Sequence, residues 1–80
     1  MLQVNPTRLE EEMRKLAEER VTRFAGDAPL LTRAQTARIW DKSPSWVKAM
    51  QVAGRVHVVP FGNTERVPRA VAIIGLVKGI

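Results

Sequence analysis

Two helix-start signals stand close together in the middle of the chain, at Thr32 and at Ser43. Thr32 is followed at N3 by Gln35, which writes a capping box: each side chain satisfies the other residue's backbone amide. Ser43 is a strong N-cap, and Pro44 suits the first helical position, where its missing amide would have had no partner. Asp41-Lys42 separates the two helices, and aspartate tolerates left-handed or bridge backbone better than most residues. Gly54 then offers a C′ stop. The chain is thereby confined to two short helices joined by a tight turn, the second running from Pro44 to Ala53.

Side-chain spacing orients this unit. On the first of the two helices Ala34, Ala37 and either Trp40 or Ile39 face inward, and the small alanines admit a second helix at close range. On the second helix Val47 and Met50 face inward, with Gln51 or Ala53 beside them. Ser45, Lys48, Ala49 and Val52 face outward, as does Trp46 unless it closes the turn as a core residue. Val56 to Pro60 and Glu65 to Val67 read as two short strands around the turn chemistry of Phe61-Gly62-Asn63-Thr64. His57 is expected at the surface of the first strand, and Phe61 in the core or supporting the hairpin.

A longer helix precedes this unit. After a lead of Met1 to Asn5, a helix is predicted over Pro6 to Ala25. Either Asn5 caps it, with Val4 stapled to Leu9, or Thr7 caps it, with Glu10 closing a T-x-x-E box. Leu9, Met13, Leu16, Ala17, Val21 and Phe24 form one apolar stripe. Glu10–Arg14 and Glu11–Lys15 are spaced to pair on the charged face, and Gly26 stands at C′. Residues 27–31 read as a connector. A last helix is expected from Pro68 at N1 to Leu76 or Val77, with Gly75 and Gly79 weakening its second half. It is apolar nearly all round, so it requires cover on more than one side, from the first helix or from another copy of the chain. The organisation expected is one domain over 1–80: an accessory N-terminal helix in 1–27, a core in 31–69 and an apolar C-terminal helix in 70–80.

Composition narrows the functions open to such a domain. Eighty residues bury only about 60–65% of the surface of the unfolded chain. There are no cysteines and one histidine, His57, so neither a disulfide framework nor a cysteine or histidine metal site is expected. A lone His57 on a strand gives a nucleophile no base, and the acidic residues cluster on one solvated helix face rather than pairing in a cleft. No catalytic residue and no cofactor are predicted. No uncharged apolar run approaches the ~18 residues of a membrane span, and no leader-like segment opens the chain, so a cytoplasmic protein is expected. The net charge of +5 is unevenly spread. Residues 1–31 carry five basic against six acidic side chains, whereas residues 32–80 carry eight basic against Asp41 and Glu65. A basic half beside a near-neutral half suggests a polyanion-binding surface.

The basic half also carries a pattern of short motifs in a fixed order. Ala37-Arg38-Ile39-Trp40 ends one helix and Ser43-Pro44-Ser45 starts the next. Ala53-Gly54-Arg55-Val56 leaves that helix, Phe61-Gly62 makes a corner before Arg66, and Val67-Pro68-Arg69 closes the hairpin. In these features the stretch from Leu31 to Arg69 resembles the excisionase-type branch of the MerR-like winged helix-turn-helix proteins. The implied fold is mainly α with a small two-stranded antiparallel hairpin, a winged helix-turn-helix plus an extra N-terminal helix. The family turn usually carries glycine and a buried valine where this chain has Asp41 and Lys42, whose stem is suited to cover apolar surface.

The implied partner is double-stranded DNA, with the helix from Pro44 in the major groove and the hairpin in the minor groove. Ser43, Ser45, Trp46, Lys48 and Ala49 would contact bases or phosphates from the helix. Arg55, Asn63, Thr64 and Arg66 would straddle the backbone around the wing. Arg33, Arg38 and Arg69 would add phosphate contacts. The resemblance further implies a recombination directionality factor of a prokaryotic phage or integrative element. Such proteins bend DNA, self-associate along it and bias an integrase toward excision. A small transcriptional regulator of the same fold is the alternative, ahead of the DNA-recognition part of a packaging subunit or a protein-binding adaptor.

Overall fold

A computed structural model describes residues 6–80. The elements run α1 (Pro6–Ala25), β1 (Leu30–Leu31), α2 (Arg33–Trp40), α3 (Pro44–Val52), β2 (Val59–Phe61), β3 (Thr64–Pro68) and α4 (Arg69–Lys78). The protein is thus mainly helical, with a small three-stranded antiparallel sheet. The lead from Met1 to Asn5, the Asn5 cap and the Val4 staple lie outside the described residues.

The caps form as their residue types dictate. Thr32 Oγ1 accepts from Gln35 N at 3.0 Å, while Gln35 Oε1 accepts from Thr32 N at 2.9 Å. The helix ends on Asp41 at φ 56°, ψ 46°. Lys42 N donates to Ala37 O at 2.8 Å and Asp41 N to Arg38 O at 3.2 Å, a Schellman pair with aspartate where glycine is usual. Ser43 Oγ then accepts from Trp46 N at 3.1 Å and opens α3. The same Schellman pairing closes α3 at Gly54, φ 77°, with Arg55 N bonded to Met50 O at 2.8 Å and Gly54 N to Gln51 O at 3.0 Å.

The sheet corrects the expected two-stranded hairpin. Its strand order is β1-β3-β2, with Leu30 opposite Pro68 and Leu31 opposite Val67. Residues 30 and 31, expected in a connector, form a strand because Leu31 is fully buried and the edge of β3 is there to pair with it. Two residues carry no periodicity, so their pairing is invisible without the partner. β2 is shorter than expected: Val56 is buried, but His57 and Val58 precede the strand. The hairpin turns on Gly62-Asn63 between the Phe61–Thr64 pair; Gly62 has φ 62°, as glycine at the first position of a type II′ turn does. Pro68 ends β3 instead of opening α4, and Arg69 N extends the ladder by donating to Pro29 O at 2.9 Å.

Val21, Leu31, Ala37, Ile39, Trp40, Val47, Val56, Val67 and Ala72 make the core. Both Ile39 and Trp40 enter it, whereas Ala34 is exposed. Thr36 is fully buried, its hydroxyl donating to Thr32 O at 2.9 Å. α1 uses only part of its stripe: Ala17 and Val21 are buried, but Leu9, Met13 and Leu16 are exposed. The radius of gyration of 13.7 Å exceeds the roughly 12 Å of a compact chain this long. Among the described residues α1 pairs Arg8 with Glu12 at 3.7 Å, in place of Glu10–Arg14 or Glu11–Lys15.

α4 lies against α1 and α2 along one side, burying Ala72 and leaving Ile74 exposed. The expected all-round burial is therefore not reached within one chain. Trp40 anchors the contact by donating from Nε1 to Ala72 O at 2.9 Å. Gly75 faces the same indole so closely that a Cβ placed there would stand 2.6–2.7 Å from Trp40 Cζ2, Cε2 and Nε1. This glycine is a packing residue.

Candidate nucleic-acid interface

The outer face of α3 presents Ser45, Lys48, Ala49 and Val52, all exposed and at the i, i+3, i+4, i+7 spacing of one helical stripe. Val47 is the side chain that fixes this orientation, being buried on the opposite face, with Met50 and Gln51 half-buried beside it. Ala53, the alternative inward residue, is exposed. The start of α3 offers less than a generic helix start does. Pro44 has no amide, Ser43 Oγ takes Trp46 N, and Val47 N donates to Ser43 O at 3.2 Å. Ser45 N is left as the amide of the first turn available to an anion.

The hairpin supplies the second element. Asn63 and Thr64 are exposed at its tip, and Arg66 is half-buried. The Arg66 guanidinium lies 5.0 Å from the centroid of the Phe61 ring, donates to Thr64 Oγ1 at 3.2 Å and to Glu65 O at 3.3 Å. Phe61 therefore stands outside the core as the support on which Arg66 rests. The cation is held near the tip instead of sweeping through solvent.

A polar relay pins the two elements to each other. Gln51 Nε2 donates to Glu65 Oε2 at 2.8 Å, and Arg33 Nη2 donates to Gln51 Oε1 at 3.3 Å. Gln51 thus ties the last turn of α3 to β3, with Arg33 of α2 behind it. Its side chain had only a packing role in the sequence, where nothing indicated that Glu65 would stand opposite. Arg33 keeps its charge at this edge while one of its donors is engaged.

The remaining expected contacts divide. Lys48 and Arg55 are exposed and make no ion pair among the described residues. Arg38 is exposed, but its end of α2 lies against α1: Arg20 donates from Nε to Ile39 O at 2.6 Å and from Nη2 to Arg38 O at 3.1 Å. Arg69 is engaged within the chain. Its guanidinium donates to Gly26 O at 2.7 Å, Ala28 O at 3.1 Å and Thr22 Oγ1 at 2.7 Å. Gly26 and Ala28 lie just past the end of α1, where the helix dipole favours a cation, so the side chain ties the end of α1 to the start of α4.

Trp46 is likewise turned from the outward face. It is half-buried and meets Trp40 edge-on, ring centroids 6.4 Å apart at 86°. Lys42 Nζ lies 5.2 Å from the Trp46 ring centroid, so the lysine stem covers apolar surface as its length allows.

The described residues contain no group of three histidine, cysteine or acidic side chains placed to hold a metal ion, and no described helix is long and apolar enough to cross a membrane. Compared with known protein families, curated proteins and solved structures, the chain has no significant match.

Proposed function

We propose that the protein is a winged helix-turn-helix DNA-binding protein that bends double-stranded DNA. In this reading α3 enters the major groove and the β2–β3 hairpin is the wing at the adjacent minor groove. The observation that carries it is the Gln51–Glu65 bond, which holds an exposed helix face bearing Ser45, Lys48 and Ala49 in fixed relation to a hairpin bearing Arg66. Linking the two contact elements suits a duplex, since less order is lost when both dock. Arg55 lies between them in sequence, and Arg33 and Arg38 add positive charge behind.

The role that best suits so few outward readers on α3 is architectural. Specificity then rests on DNA shape and on several copies bound together, with the bend costing a few kcal/mol and offset by contacts that only bent DNA permits. We infer a recombination directionality factor of a phage or integrative element that acts with an integrase. Exposed Leu9, Met13 and Leu16 of α1 and Ile74 of α4 are suited to contacts between neighbouring copies.

The test is a mobility-shift series over increasing salt with duplexes carrying direct or inverted repeats. The reading predicts retardation at low salt that weakens steeply as salt rises, with cooperative loading on direct repeats. Preference for a palindrome would assign the same fold to a symmetric transcriptional regulator. No retardation at low salt would refute DNA binding.

A further inference from the structure

Beside the turn between α2 and α3 lies a cleft of about 320 Å³, lined by Trp40, Lys42, Trp46, Gly75, Leu76, Gly79 and Ile80. We propose that it is a binding site for a small, flat aromatic monoanion, an aryl carboxylate. This inference does not depend on DNA binding.

The cleft's volume falls at the small end of the ~300–1,000 Å³ typical of ligand sites. Its shape follows from the two indoles. At 86° to one another they form a corner, in which a flat ring can rest against the half-buried Trp46 and meet only the exposed margin of Trp40. Gly79 places no side chain in this space, and Leu76 and Ile80 complete an apolar wall.

Charge decides which aromatic ligand fits. Lys42 Nζ sits over the Trp46 ring at 5.2 Å, folded onto the rim of the cleft. It makes no ion pair with a carboxylate among the described residues. Trp40 Nε1 is already committed to Ala72 O at 2.9 Å, so the donors left among the lining side chains are the Trp46 indole N–H and the Lys42 ammonium, of which the ammonium alone is charged. A carboxylate bound there completes the pair without displacing the ammonium from the ring. An amine at the same place meets a like charge.

Trp40 and Trp46 are the two tryptophans of the chain, and both line the cleft, so their indole N–H resonances report occupancy directly. The full-length protein, labelled with ¹⁵N, is titrated with 2-naphthoate, 2-naphthylmethanol and 2-naphthylmethylamine. The expected result is a saturable shift of both indole signals with naphthoate, at an affinity about tenfold above that for the alcohol, and weaker binding still for the amine. Lys42→Gln should remove the preference for the acid and leave the alcohol's affinity unchanged. The proposal is overturned if naphthoate gives no saturable shift, if the three compounds bind alike, or if Lys42→Gln keeps the preference.

Discussion

Replacing Gly75 by alanine separates packing from helix propensity, because the two act in opposite directions. In an exposed helix interior, alanine is favoured over glycine by roughly 1 kcal/mol. At Gly75, however, the new Cβ meets three atoms of the Trp40 ring system at 2.6–2.7 Å. The indole is only 8% exposed, so it has little room to turn away. Overpacking of this kind costs about 1–3 kcal/mol. Moving the ring also strains the Trp40–Ala72 hydrogen bond, worth about 0.5–1.5 kcal/mol. After the propensity gain is subtracted, Gly75→Ala should destabilise the protein by about 0.5–3.5 kcal/mol. That is a large share of the roughly 4–12 kcal/mol expected for 80 residues. Urea unfolding followed by tryptophan fluorescence measures it, with the same substitution repeated in a Trp40→Leu background, where the penalty should largely vanish. If Gly75→Ala raises the midpoint in the parent protein, the close approach of α4 to Trp40 is wrong.

Asp41→Gly should raise stability by about 0.5–1 kcal/mol in the same assay. It relieves a left-handed aspartate and removes a negative charge from the end of α2, against glycine's greater unfolded-state entropy. Arg69→Met should lower stability by about 1–2 kcal/mol through its three lost hydrogen bonds and leave the salt dependence of DNA binding unchanged; a shallower dependence would return Arg69 to the contact surface. Lys48→Ala should weaken binding to a preferred duplex by about 1–3 kcal/mol and relax sequence preference. Arg66→Ala should weaken binding to all duplexes more evenly, and fluorescence anisotropy on two unrelated sequences distinguishes these patterns.

The features legible in the sequence were those whose cause is local. The Thr32–Gln35 box, the Ser43-Pro44 start and the stops at Gly26 and Gly54 depend on residues within a turn of one another, and they form as their chemistry dictates. Asp41 could be read as the turn residue for the same reason. What escaped is non-local. Leu30 and Leu31 form a strand only because Val67 and Pro68 lie opposite them. Arg69 reads as one more surface cation until the end of α1 is placed beside it. Gly75 reads as a weak helix position until Trp40 is seen against it. The exposed stripe of α3 was legible because helical spacing sets it, but the Gln51–Glu65 link that couples it to the hairpin was not. Trp46 illustrates the boundary: its spacing puts it near the outward face, yet a large ring beside Trp40 gains more by turning inward.

The most direct test of the proposed docking is to add a short duplex to ¹⁵N-labelled protein and map the backbone amides that respond. The account predicts the largest changes from Ser43 to Ala49, at Arg55 and from Gly62 to Arg66, with the exposed first half of α1 unaffected when one copy is bound per duplex. Changes centred on α1 or α4, with Lys48 and the hairpin tip silent, would contradict it.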